Sequence, residues 1–143
     1  MSIHLEREVE KIKGRLLELG GLVEESVRQA VRAVETRDPE LATAVIEKDE
    51  EIDRLEVDIE EDCLQILALY QPVATDLRYL VAVLKLNNDL ERIGDLASSL
   101  AARGKQIAAT PEVELVYDFH GMVERTQKML KGSLDALVRM DSD

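Results

Sequence analysis

The sequence predicts an all-α fold, an antiparallel three-helix bundle over residues 1–109 with an additional fourth long helix within 110–143. Three observations carry that prediction. Aromatic residues make up only 3% of the chain, with Gly 7 and Pro 3, so a sandwich or barrel of aromatic strands and glycine turns is disfavoured. Apolar residues recur at spacings of three, four and seven over long stretches, which is the helical period. Pro39, Pro72 and Pro111 fall between those stretches, and proline is tolerated in the first turn of a helix but breaks its interior. At 143 residues and 45% hydrophobic content the chain has the length of one domain and the material for a core.

The first helix, about 2–37, sets Leu5, Val9, Ile12, Leu16, Leu19, Val23, Ala30 and Val34 on one face, while Gly14, Gly20 and Gly21 weaken it locally. Asp38-Pro39 opens the second. The Asp38 carboxylate can accept from the free amides of a helix start, and Glu40 suits the positive end of the dipole. This helix runs to about residue 70 with Val45, Ile52, Ile59 and Ile66 at intervals of seven and Leu55 and Leu69 between them, a heptad seam. The third, about 73–109, carries Val83, Leu86, Leu90, Ile93, Ala97, Leu100 and Ile107. Its opening half adds Leu77, Leu80, Val81 and Leu84 on other faces, so that half is expected to be buried widely. The fourth, about 112–140, starts at Thr110-Pro111 and places Val116, Phe119, Val123, Leu130, Leu137 and Met140 on one side. Short connections make these helices antiparallel neighbours.

Val27, Val31, Val34 and Asp38 reappear as Leu130, Leu134, Leu137 and Asp141 at a constant offset. The first helix of a second, incomplete repeat fits this pattern, and so does a plain four-helix bundle. The apolar face of the fourth helix has to be buried, either along its own bundle or against a second chain. A homodimer is expected, because the first three helices already make a self-sufficient bundle.

The net charge is −12, and eleven acids between Glu40 and Asp62 are offset only by Lys48 and Arg54. Such a chain is unsuited to nucleic acid or anionic lipid, and cations are its natural counterpart. The lone Cys63 excludes an intrachain disulfide and a cysteine zinc site, and fits a reducing compartment, the cytoplasm by default. Its neighbour Asp62 would raise the thiol pKa, which favours a buried structural thiol over a nucleophile. The N-terminus lacks the apolar core of a secretion signal, and no stretch approaches the roughly 18 apolar residues of a membrane span. His4 and His120 have no acid three residues before them, so the Glu-x-x-His pairs of a di-iron bundle are missing. There is no glycine-rich phosphate loop and no Gly-x-Ser-x-Gly, and the chain is expected not to be an enzyme.

What remains is carboxylate geometry. Asp49 and Asp53 on the second helix, and Glu91 and Asp95 on the third, are pairs four residues apart and therefore share a face. A hairpin folded at Pro72 brings Asp53 level with Glu91 and Asp49 level with Asp95. Four such carboxylates repel unless they share protons or a cation, and an all-oxygen set suits hard or borderline metals. Acids that point apart, or pair with Arg54 and Arg92, are the other reading of the same residues. Asn87, Asn88 and Asp89 are further candidate oxygen ligands, or simply surface residues of a long helix.

The run QPVATDLRYLVAVLKLNNDLERIGDLA, Gln71 to Ala97, resembles the signature of the PhoU family of phosphate-signalling regulators. The shared features are a proline at a helix-opening turn, Asp76-Leu77-Arg78 soon after it, and the acidic run from Glu91 to Asp95. KDEEIDRLE, Lys48 to Glu56, is similar to the family's preceding acidic stretch, and the resemblance spans about residues 8–108. It implies tandem three-helix repeats whose acid-x-x-x-Asp pairs hold clustered iron, zinc, manganese or magnesium ions, at Asp49, Asp53, Glu91 and Asp95 here. It also implies a cytoplasmic negative regulator of phosphate uptake and of the starvation response, an adaptor between a phosphate ABC transporter and a sensor histidine kinase. Asp76, Arg78 and Arg92 are candidate partner contacts within the family-like run; the two arginines are equally suited to ion pairs with acids of the second helix. One departure is the lack of a second Glu-Arg-x-Gly-Asp run. The competing expectations are a scaffold on a different transporter or ion channel, and a carboxylate metalloenzyme, for which no nucleophile or base stands near the acids.

Overall fold

The computed structural model describes residues 3–109 and 119–142. Four helices follow in order, α1 (Ile3–Thr36), α2 (Pro39–Tyr70), α3 (Thr75–Ala108) and α4 (Phe119–Ser142). The helix start expected at Thr110-Pro111, Val116 and the side chain of Phe119 lie outside the described residues.

The α1–α2 connection is two residues long and closed by hydrogen bonds on both sides. Asp38 N–H donates to Ala33 O at 3.0 Å and Arg37 N–H to Val34 O at 3.4 Å, with Arg37 left-handed at φ 54, the pattern of a Schellman stop. The Asp38 carboxylate then accepts from Glu40 N at 3.1 Å and Leu41 N at 3.2 Å, and Pro39 occupies the first turn of α2, as its sequence predicts. At the second connection Gln71 is left-handed at φ 45 and Ala74 adopts φ 53, so two non-glycine residues flank Pro72 where the chain reverses.

Helices α1, α2 and α3 bury a common core. The heptad seam is its clearest part, with Val45, Ile52 and Ile59 fully buried and Ile66 at 2% exposure. Leu16, Leu19 and Val23 of α1 and Val83, Leu90, Ile93 and Leu100 of α3 face it. Each such side chain contributes about 1.5–3 kcal/mol through burial. Two expectations fail. Leu69 is 77% exposed, and Leu77 and Val81 are 40% and 42% exposed, so the opening half of α3 is buried on one face only. Leu77 and Val81 sit one turn apart and share the outward face, and apolar character alone does not require burial.

α4 runs antiparallel to α3 and packs on α3 and α1, with Met129, Ser133 and Ala136 beside Leu86, Asp89 and Ile93. Leu130 and Leu137 are buried there. The second chain expected to cover this face is therefore not needed for that purpose. The reason lies in Gly20: a β-carbon at this position would stand 2.9 Å from Leu137 Cδ1 and 3.6 Å from Leu134 Cδ2, so the missing side chain leaves a notch that α4 fills. A residue expected to weaken α1 is thus where α4 docks. Among the described residues no helix is long and apolar enough to cross a membrane.

Candidate metal centre

The register of α2 against α3 is fixed at two places. Gly94 is buried against α2, where a β-carbon would lie 3.2 Å from Ile52 Cγ2. Some two turns earlier on α3, the Asn87 amide Nδ2 donates to the backbone carbonyl of Glu56 at 2.9 Å. With the helices anchored at these two places, Asp49 and Asp53 of α2 come together with Asp95 of α3, in keeping with the hairpin argument.

Asp49, Asp53 and Asp95 each present a carboxylate oxygen within 4.8 Å of the other two. Glu91 stands beside this trio, close to Asp95 and Asp53. Burial, then the neighbouring charges of Asp53 and Asp95, push Asp49 up to about 6. Burial, the adjacent carboxyl of Asp95 and the charges of Asp95, Asp53 and Glu56 push Glu91 up to about 7. Asp53 is raised by burial and by Asp95, with the neighbouring Glu91 acting the other way. Asp49 Oδ1 and Asp53 Oδ1 are buried and have no hydrogen-bond partner. Orphaned buried acceptors that raise one another's pKa lack a positive charge, and this oxygen-only set fits a hard or borderline cation.

The counterions of the competing reading are not in place. Arg54 and Arg92 are exposed, and among the described residues neither forms an ion pair with these four acids; Lys48 pairs with Glu51 instead, at 3.0 Å. Asn87 is only 1% exposed and tied to α2, while Asn88 and Asp89 are exposed, with Asp89 lining clefts beside α4. None of the three joins the acids. Asp76 and Arg78 lie in the first turn of α3, about 20 Å along the helix from Glu91; Asp76 is half-buried and Arg78 exposed. They form no single site with the carboxylates. Cys63 is buried, and desolvation followed by Asp62 and Glu60 pushes its thiol up to about 11, which leaves it inert at neutral pH. Asp62 itself is held by Arg15 at 2.6 Å, an α1–α2 ion pair.

Two residues that bear on the centre escaped sequence reasoning. Glu56 is raised by burial and by Glu60, Asp53 and Asp95, so it belongs to the same field; its place seven residues after Asp49 and three after Asp53 was the available signal. Gly94 lies inside the quoted acidic run, but that small residues permit close helix approach is visible only once the facing residue, Ile52, is known.

Comparison with known proteins bears on this arrangement. A family model described as PhoU domain matches residues 16–104. The chain is 39% identical to the phosphate-specific transport system accessory protein PhoU of Serratia marcescens, over 95% of this chain and 56% of that protein. It is 40% identical to the Pseudomonas aeruginosa homolog, over 100% of this chain and 60% of that one. The crystal structure of PhoU from Pseudomonas aeruginosa superposes with a TM-score of 0.82 at 40% identity, covering 94% of this chain and 65% of that chain. The phosphate transport system regulatory protein PhoU from Streptococcus pneumoniae gives 0.75 at 29% identity, with coverages of 94% and 61%. The chain spans 56% and 60% of the length of these two curated relatives. With a family model across most of its three-helix bundle and relatives this similar along nearly its whole length, the chain belongs to the PhoU family.

Proposed function

We propose that the chain is a non-catalytic regulator of phosphate uptake and of the phosphate-starvation response, acting as a metal-carrying helical adaptor. The observation that carries this reading is its 39% identity over 95% of its length to a protein named as an accessory of the phosphate-specific transport system. On this reading the partners are a phosphate ABC transporter and a sensor histidine kinase, in the cytoplasm. Arg78 and Arg92, exposed and without an ion pair among the described residues, are contact candidates together with Asp76.

The convergence of Asp49, Asp53 and Asp95, with Glu91 at their side, supports the metal part. Such a centre would take iron, zinc, manganese or magnesium, since oxygen ligands discriminate weakly among them. Its role would be to neutralise the acids and tie α2 to α3. In this reading α4 is the first helix of a second repeat. Self-association, with α4 already packed on its own bundle, would use the exposed Leu77–Val81 face. Deleting the gene should derepress phosphate-starvation promoters in phosphate-rich medium. Unchanged reporter activity there would contradict the regulatory reading.

A further inference from the structure

Two adjoining clefts, of about 360 and 280 Å³, run along the seam between α3 and α4 and share Leu86, Asp89 and Ala136. We infer that together they seat one amphipathic helix of a partner protein whose polar flanks are acidic, with a carboxylate of that helix accepting a hydrogen bond from the Ser133 hydroxyl.

Ser133 is the observation that points to a ligand. It is only 8% exposed, and it lines the second cleft. Inside a helix such hydroxyls often turn back onto the carbonyl four residues earlier. Thr126, on the same face of α4 two turns before, does so, its Oγ1 donating to Met122 O at 2.8 Å. The Ser133 hydroxyl makes no such bond and has no other partner among the described residues. Nor is its oxygen sealed in the core, as that of Ser26 is; it keeps accessible surface, and the cleft that it lines is where that surface opens. A hydroxyl this deep, able to donate and facing a cleft, calls for an acceptor.

Charge says which acceptor. Lys85 and Arg139 stand at the first cleft and Lys128 at the second, all three exposed and none in an ion pair among the described residues. Against them the lining sets one acid, Asp89, where the clefts meet. In a chain of net charge −12 this is a local reversal of sign, and complementary charge across an interface steers the partner and fixes its register. The partner flanks are therefore acidic. Shape separates a helix from a free anion. Lys128 and Arg139 are about 16 Å apart along α4, some three helical turns. Between them the lining is apolar, with Leu86, Met129 and Met140, surface that a small anion leaves wet and an apolar helix face covers. Gly132 is exposed there, and a β-carbon on it would meet nothing within 4 Å, which leaves room for a second backbone to come close. The inference uses neither the carboxylate centre nor the phosphate reading, and stands if either fails.

The test is an NMR titration of the whole chain with a helix-forming peptide of Leu, Ala and Glu, with its Lys-for-Glu counterpart, and with inorganic phosphate in separate arms. The Glu peptide should shift the Ser133 amide and the Met129 and Met140 methyls saturably, with a Kd of roughly sub-millimolar order that weakens with salt. The Lys peptide should not bind. Ser133→Ala removes a hydroxyl that makes no internal bond, so melting should hold while Glu-peptide affinity falls about tenfold. Gly132→Leu, at an exposed position with open space, should keep the fold and abolish binding. No saturable shift, equal binding of the Lys peptide, indifference to Ser133→Ala or Gly132→Leu, or phosphate alone moving the same signals would each overturn the assignment. A light-scattering mass that rises with concentration and returns to the monomer in Gly132→Leu would give the clefts to a second copy of the chain, and overturn it as well.

Discussion

The carboxylate of Asp49 lies against Gly94: a β-carbon at residue 94 would stand 3.6 Å from Asp49 Oδ1 and 3.2 Å from Ile52 Cγ2. The close helix approach that buries Ile52 also brings an acid of α2 to those of α3. Core packing and the candidate centre are therefore one geometric fact.

Gly94→Val should separate them. Ile52 is fully buried and β-branched, with a single preferred rotamer in a helix, so it can yield only by moving α2. The expected cost is about 1–3 kcal/mol in urea unfolding. Gly94→Ala should cost less, because better helix propensity offsets the contact by about 1 kcal/mol.

The pH dependence of the metal-free protein follows from the raised carboxyls. Asp49 rises from 3.8 to about 6 and Glu91 from 4.5 to about 7, so between the ordinary and the raised values the folded state binds more protons than the unfolded chain. The contribution of these groups to stability is greatest at acid pH, falls as pH rises through that window, and levels off above about 7. Denaturation in the presence of a chelator should show this fall, and Asp49→Asn should reduce it. A contribution that instead rises with pH across the window would contradict the clustering of these acids.

Arg37 holds a left-handed conformation at φ 54 in the stop of α1. It is exposed, and glycine adopts that conformation without steric cost. Arg37→Gly should therefore stabilise the fold by about 0.5–1 kcal/mol, read as a higher urea midpoint at unchanged m-value.

The notch at Gly20 makes a prediction about α4. Gly20→Leu places side-chain atoms where Leu137 and Leu134 now lie. Amide exchange should accelerate across residues 121–140 while the seam of Ile52 and Ile59 stays protected, because α4 docks on a bundle that is already closed.

Much of this fold was legible in the chain. The heptad from Val45 to Ile66, the Asp38-Pro39 start and the break at Pro72 all express local rules, and the helices follow them. The level pairing of Asp49 and Asp53 with the third-helix acids was legible too, because a short hairpin between straight helices leaves little freedom in register. Periodicity could not tell which apolar residues of α3 lack a neighbour, so Leu77 and Val81 were misplaced. Nor could it read Gly20 and Gly94 as contacts, since the absence of a side chain has meaning only against the residue it admits. The covering of α4 by its own bundle depended on that same notch.

The account rests most directly on one shared cation centre, and equilibrium dialysis with Mn²⁺ tests it. Asp49→Asn/Asp53→Asn and Glu91→Gln/Asp95→Asn should each lower Mn²⁺ affinity by more than about tenfold, with the helical circular dichroism retained, because each pair supplies half of the acids. Unchanged stoichiometry and affinity in either double variant would contradict the account.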